Sequence, residues 1–116
     1  MQGRERRRSL IPSQMLKGTL EGCILKVISE KETYGYEISE TLKTYGFSDI
    51  AEGTIYPMLL RLEKNGLITA VKKESPVGPM RKYFSLTDEG ILELEKFHNN
   101  WKELDEAVNT LFGKED

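Results

Sequence analysis

The side chains in this sequence that could do chemistry are mostly cations and hydroxyls, gathered in the second half of the chain. Thr54, Tyr56, Arg61 and Lys64 lie within one short stretch, with Pro57 among them. Lys72 and Lys73 precede the segment Ser75-Pro-Val-Gly-Pro79, and Arg81 and Lys82 follow it, with Glu74 the lone acid nearby. Guanidinium and ammonium groups neutralise phosphates, an arginine fork pairs with a guanine edge, and a hydroxyl bonds a phosphate oxygen. Residues for other chemistry are scarce. Cys23 is the only cysteine and His98 the only histidine, which excludes a Cys-based zinc site and a histidine metal cluster. A catalytic triad would have to draw on His98 alone. Gly46 and Gly53 read as helix punctuation and not as a phosphate-cradling loop. The expectation is a protein without catalytic residues, metal or cofactor. Cys23 is read as a small core or interface residue and His98 as an ordinary exposed histidine.

The overall charge does not advertise an anionic partner. The 116 residues carry 17 basic and 19 acidic side chains, for a net charge of −2. The distribution is uneven: Arg4, Arg6, Arg7 and Arg8 face Glu5 alone at the start, and acids outnumber lysines after residue 90. A basic arm, a mixed body and an acidic tail follow one another. If nucleic acid is the partner, a few placed cations must bind it. No apolar run approaches the roughly 20 residues needed to span a bilayer. No apolar stretch follows the charged residues 1–8, so a secretory signal is not expected. Together with the single cysteine, this points to the cytoplasm.

Several elements must position the cations. Residues 1–12 read as a flexible basic arm ended by Pro12. Ser13 is a plausible cap for a helix from Gln14 to Glu30, with Leu16, Leu20, Ile24, Val27 and Ile28 along one face. Gly18 and Gly22 weaken that helix but allow close packing of another backbone. A second helix fits Tyr36 to Tyr45, with Gly46 as its terminator and Phe47 folding back. A third fits from Thr54 or Ile55 to Asn65, capped by Thr54, with Pro57 in its first turn. Residues 67–74 and 80–86 suit two strands joined by a five-residue tip. Thr87-Asp-Glu89 opens a last helix that runs to Phe112.

Three helices, a β-hairpin and a long helix make up a winged helix-turn-helix domain over residues 13–86 and a C-terminal helix over 87–113. The fold is thus mostly α with one small hairpin. The third helix would enter the major groove and the hairpin, or wing, would offer cations to phosphates. At 100° per residue, Ile55, Leu59 and Leu62 share the buried side of the third helix. Pro57, Leu60, Arg61 and Lys64 share the other. Periodicity alone leaves a solvated face as an equal alternative.

Three blocks carry a resemblance. They are Tyr34-Gly-Tyr-Glu-Ile38, Gly53-Thr-Ile-Tyr-Pro-Met-Leu-Leu-Arg-Leu-Glu-Lys-Asn-Gly-Leu67 and Gly78-Pro-Met-Arg-Lys-Tyr-Phe-Ser-Leu-Thr-Asp-Glu-Gly90. In this order and spacing the chain resembles the PadR-type transcriptional regulators of bacteria, in their short form with a single C-terminal helix. The resemblance implies a homodimeric repressor on a palindromic operator of double-stranded DNA. It assigns DNA contacts to Thr54, Tyr56, Pro57, Arg61 and Lys64 on the helix and to Arg81 and Lys82 on the wing. Lys72 and Lys73 join them through the charge cluster. Tyr34 is open to two readings, a contact to the DNA backbone or a core ring.

The last helix carries Leu94, Phe97, Trp101, Leu104, Val108 and Leu111 at alternating three- and four-residue steps, a heptad seam. A monomer would expose most of it, so a dimer interface around a two-fold axis is expected. The resemblance further implies that Phe97 and Trp101 are candidates to stack on a planar aromatic effector, against the plainer reading of interface packing. The rival to DNA binding is a winged-helix module that binds a small molecule or a protein and leaves the wing cations idle.

Overall fold

The computed structural model describes residues 11–47 and 50–114. The Arg-rich segment Arg4 to Arg8 lies outside the described residues. The element order is α1 (Ser13–Leu16), α2 (Leu20–Glu30), α3 (Gly35–Thr44), α4 (Glu52–Lys64), β1 (Ile68–Glu74), β2 (Met80–Leu86) and α5 (Asp88–Gly113). The helix expected from Gln14 to Glu30 is therefore broken. Gly18 adopts φ +88°, in the left-handed region, and Thr19 turns its hydroxyl back to the Leu16 carbonyl at 2.9 Å. A left-handed residue cannot continue a right-handed helix, and glycine takes that conformation at least cost. Ser13 is the first helical residue and not the cap.

The core follows the apolar spacing. Leu20, Ile24, Leu25 and Ile28 of α2, Ile38 and Leu42 of α3, and Ile55, Leu59 and Leu62 of α4 are buried together with Ile68 and Phe84 of the hairpin. The α3 end is built as the sequence suggests. Gly46 has φ +107°, and the Phe47 amide donates to the Leu42 carbonyl at 3.1 Å, returning its ring toward the core. The same closure ends α4, where the Leu67 amide donates to the Leu62 carbonyl at 3.0 Å.

The start of α4 differs from expectation. Its N-cap is Ala51, which has no side-chain cap bond, so Thr54 sits inside the helix. Pro57 then falls in the second turn, where it leaves the Gly53 carbonyl without an in-helix donor. Gly53 is exposed, so water can take that place. Ala51 offers no side-chain signal, which is why the start is displaced in the sequence reading.

The hairpin is antiparallel, in the register Ile68↔Leu86 through Glu74↔Met80. A third segment joins it. Thr33 bridges Phe84, with paired backbone bonds of 2.7 and 3.3 Å. This bridge ties the wing to the start of α3.

Thr87 is the joint between the wing and the rod. Its hydroxyl oxygen accepts from the Gly90 amide at 3.0 Å, and the hydroxyl donates to the Gly66 carbonyl at 2.7 Å. Its amide donates to the Leu67 carbonyl at 3.1 Å. Gly90 is buried there, and a Cβ on it would lie 2.0 Å from the Leu67 carbonyl oxygen. That oxygen is backbone and already holds the Thr87 amide, so it cannot step aside. Gly90→Ala is expected to lower stability by about 1–3 kcal/mol, the usual cost of overpacking. A urea titration should show a lower midpoint with an unchanged slope; an unchanged midpoint would contradict the tight fit.

Candidate nucleic-acid interface

The first turn of α4 and the wing meet at one cleft, and Glu63 of α4 pairs with Lys82 of the wing. Thr54, Pro57, Arg61 and Lys64 are exposed on α4, opposite the buried Ile55, Leu59 and Leu62. A cleft of about 350 Å³ separates this helix from the wing, with Tyr34, Tyr36, Glu52, Tyr56 and Arg81 among its walls. The Tyr56 ring covers Gly35, where a Cβ would approach it to 2.7 Å. Only a glycine at the start of α3 allows that ring to lie there. Burial, reinforced by the Glu52 carboxylate, pushes the Tyr56 phenol above its ordinary pKa. The phenol stays protonated and keeps its hydrogen-bond donor.

Tyr34 is half-buried and belongs to the wing face. The Arg81 guanidinium lies 4.2 Å from its ring centroid. The Tyr83 ring meets it edge-on at 5.3 Å, and Lys73 sits 5.2 Å from the Tyr83 ring on the same face. Lys73 and Arg81 are cross-strand partners, as are Lys72 and Lys82. Opposed like charges repel across a hairpin. The two aromatic rings offset this on one face by giving the cations negative π-faces to rest on. Tyr83 was not among the sequence-derived candidates. Its signal was available, since it stands two residues from Arg81 and so shares its strand face.

Three of the candidate DNA-contact cations are engaged in ion pairs within the chain. Arg61, read from sequence as free for a phosphate or a guanine edge, instead turns toward α2. Its Nε donates to Glu21 Oε2 at 2.8 Å, and a second guanidinium nitrogen reaches the same oxygen. Lys73 pairs with Glu32 at 2.5 Å and Lys82 with Glu63 at 3.1 Å. Lys64 and Lys72 are exposed. The glutamates were invisible to a reading of the sequence, because Glu21 and Glu32 lie about forty residues from their partners.

A second feature lies on the other side of the fold. A mostly apolar cavity of about 520 Å³ opens between α2, α3 and α5, with Cys23, Val27, Tyr45, Phe47 and Phe97 in its walls. Burial pushes the Cys23 thiol above its ordinary pKa, which keeps it a packing group. Phe97 lies against Gly22, where a Cβ would come within 2.4 Å of the ring. Gly22 thus admits a side chain of α5 and not a second backbone. Trp101 stands outside this cavity, in a smaller cleft with Gly18, Thr19 and Leu104. Trp101, Leu104, Val108 and Leu111 are between 42% and 57% exposed on the single chain.

A helix-turn-helix backed by a third helix and flanked by a cationic hairpin defines the winged-helix class. The comparisons with known proteins then supply the family. The family model for the transcriptional regulator PadR-like family matches residues 24–96. A PadR-like transcriptional regulator from Bacillus cereus is 50% identical, with a TM-score of 0.78 over 85% of this chain and 96% of its own. A protein of Lysinibacillus sphaericus is 34% identical over 102 residues, covering 86% of this chain and 94% of its own. The PadR of Bacillus subtilis, solved in complex with operator DNA, is 29% identical with a TM-score of 0.63, over 69% of this chain and 46% of its own. The chain belongs to the PadR-like family of transcriptional regulators. Among the described residues, no helix is long and apolar enough to cross a membrane.

The bridge that seats Tyr34 can be tested through its neighbour. The Thr33 hydroxyl donates to Glu37 at 2.7 Å, and this bond, ahead of the nearby Lys31, holds the Glu37 carboxyl below its ordinary pKa. A depressed folded pKa adds stability that is present above the unfolded value and is lost as pH falls through the folded value. Thr33→Val should cost roughly 1 kcal/mol or less at neutral pH, since Glu37 is well solvated. Thermal melts of variant and parent should converge as pH drops below the carboxylate range. A gap that persists in acid would assign the loss to packing.

Proposed function

We propose that this chain is a repressor that binds a palindromic operator of double-stranded DNA as a homodimer, and that an effector releases it. The observation that carries this reading is the shared surface of α4 and the wing. The first turn of the helix, through Glu52 and Tyr56, and the wing, through Arg81 and Lys82, border one cleft, and Lys82 pairs with Glu63 further along the same helix. The helix is placed to reach base edges and the wing to hold phosphates on either side of the groove. Tyr34, Thr54, Tyr56, Pro57, Arg61, Lys64, Lys72, Lys73, Arg81 and Lys82 form the proposed contact set. The relative solved with operator DNA supports the same mode here. A regulator of this kind works in the cytoplasm and needs no catalytic residue.

The proposed dimer uses α5. Its 26 residues make a rod of roughly 39 Å. Leu94 and Phe97 are partly covered by the chain's own core, whereas Trp101, Leu104, Val108 and Leu111 are exposed at seam positions. A second copy would cover that strip and set two α4 helices about a two-fold axis, with half-sites about one helical turn apart, roughly 34–36 Å. A planar aromatic effector fits the apolar cavity beside Phe97, at the root of the rod, with Trp101 nearby as the second stacking candidate. Wedging α5 away from α2 there would alter the separation of the two domains and so the match to the operator.

Two measurements test the reading. Arg81→Ala with Lys82→Ala should weaken binding to specific and random duplexes alike and flatten the log–log salt dependence by roughly one unit per lost phosphate contact. An intact affinity with an unchanged slope would take the wing out of the interface, and a parent chain that shifts no duplex at low salt would favour a module that makes no DNA contact. Leu104→Glu places like charges across the seam. It should give a folded monomer by sedimentation that has lost operator affinity. Sedimentation of the parent chain as a monomer at micromolar concentration would overturn the dimer.

A further inference from the structure

We propose that Glu21, Glu32 and Glu63 are attenuators of DNA binding: each holds a DNA-facing cation in an ion pair with which a phosphate must compete. The inference rests on the DNA-binding reading above and extends it to residues that this reading leaves without a role.

The pairing is systematic. Arg61 on the recognition helix is held by Glu21 of α2, Lys73 of β1 by Glu32, and Lys82 of β2 by Glu63 of α4. None of these is a neighbouring pair within one helix. The partners are 40, 41 and 19 residues apart, so the tertiary fold brings a carboxylate to each of the three cations. All six side chains are between 36% and 53% exposed. Pairs at such exposure are weak, about 0–1 kcal/mol each, and a duplex, with its closely spaced phosphates and counterion release, can displace them.

The arrangement matters because bulk charge does not help this protein. Its formal net charge is −2, so attraction to a duplex comes from a few local cations. Each cation that neutralises a phosphate contributes close to one unit to the salt slope. A cation shared with a carboxylate contributes less, and the carboxylate itself is repelled by the duplex. Random DNA offers only phosphates, whereas an operator adds base contacts. Attenuating the phosphate term therefore makes binding depend on those base contacts and leaves the protein free to search.

The test uses the full chain and a short random-sequence duplex across a salt series. Glu32→Gln with Glu63→Gln should tighten binding about tenfold at moderate salt and steepen the slope by up to two units, one per released cation. Glu21→Gln should tighten it several-fold on its own. Glu103→Gln with Glu106→Gln is the charge-matched control, on exposed positions of α5 away from the wing. Melting temperatures should match across the set, since exposed pairs contribute little to folding. If the double variant proves unstable, Glu32→Gln alone, in the loop before the bridge, carries the same expectation at half the size. Equal tightening by the wing double and the control would reduce the effect to net charge and overturn the proposal. Weaker binding by the wing double would also overturn it, because the carboxylates would then be positioning the cations. A parent chain and variants that all ignore the duplex at low salt would overturn the DNA-binding reading as well, so the two failures are distinguishable.

Discussion

The joint at Thr87 sets the geometry on which everything else depends. One threonine caps the long helix, closes onto the end of α4 through Gly66, and donates its amide to Leu67. Three elements therefore meet at a single hydrogen-bonded corner, and Gly90 fills it without a side chain to spare. A 26-residue rod magnifies any error at its root. A tilt of a few degrees at Thr87 becomes a displacement of about 2–3 Å at the far seam residues. The proposed dimer, which would present two recognition helices at a set spacing, needs that corner to be stiff.

The proposed DNA-facing surface solves an electrostatic problem of its own making. Its cations are concentrated on a narrow hairpin, in two opposed like-charge pairs. Left alone, they would repel one another and destabilise the wing. Tyr34 and Tyr83 absorb part of this as π-faces, and glutamates from neighbouring elements absorb more. On the proposed reading, the same contacts that steady the free protein restrain its appetite for phosphate. Stability of the wing and restraint on DNA binding would then be two results of one charge arrangement.

The far side of the molecule repeats the theme in apolar terms. Phe97 is shared between the covered root of α5 and the cavity beside Cys23, and its seat depends on the missing side chain of Gly22. Beyond it the apolar strip of α5 leaves the body of the domain. The boundary between Phe97 and Trp101 divides residues that complete this chain's own fold from the exposed ones that the proposed dimer would cover.

Much of this architecture was legible from local signals. Caps and terminators act within four residues, so Thr87 opening α5 and Gly46 and Gly66 closing α3 and α4 could be read directly. The hairpin and the heptad spacing of α5 are likewise short-range patterns. Local signals mislead where they compete or are silent. Gly18 has an ordinary helical neighbourhood, yet it turns left-handed and splits the first helix. Thr54 offers a cap, yet α4 begins earlier, at a residue whose side chain signals nothing. What only the tertiary structure decided were contacts between distant segments: Thr33 bridged to Phe84, Phe97 on Gly22, Tyr56 on Gly35, and Arg61 held by Glu21. Spacing along the chain determines which side chains share a face. Which distant carboxylate or ring that face meets depends on how the elements pack, and no local pattern carries that information.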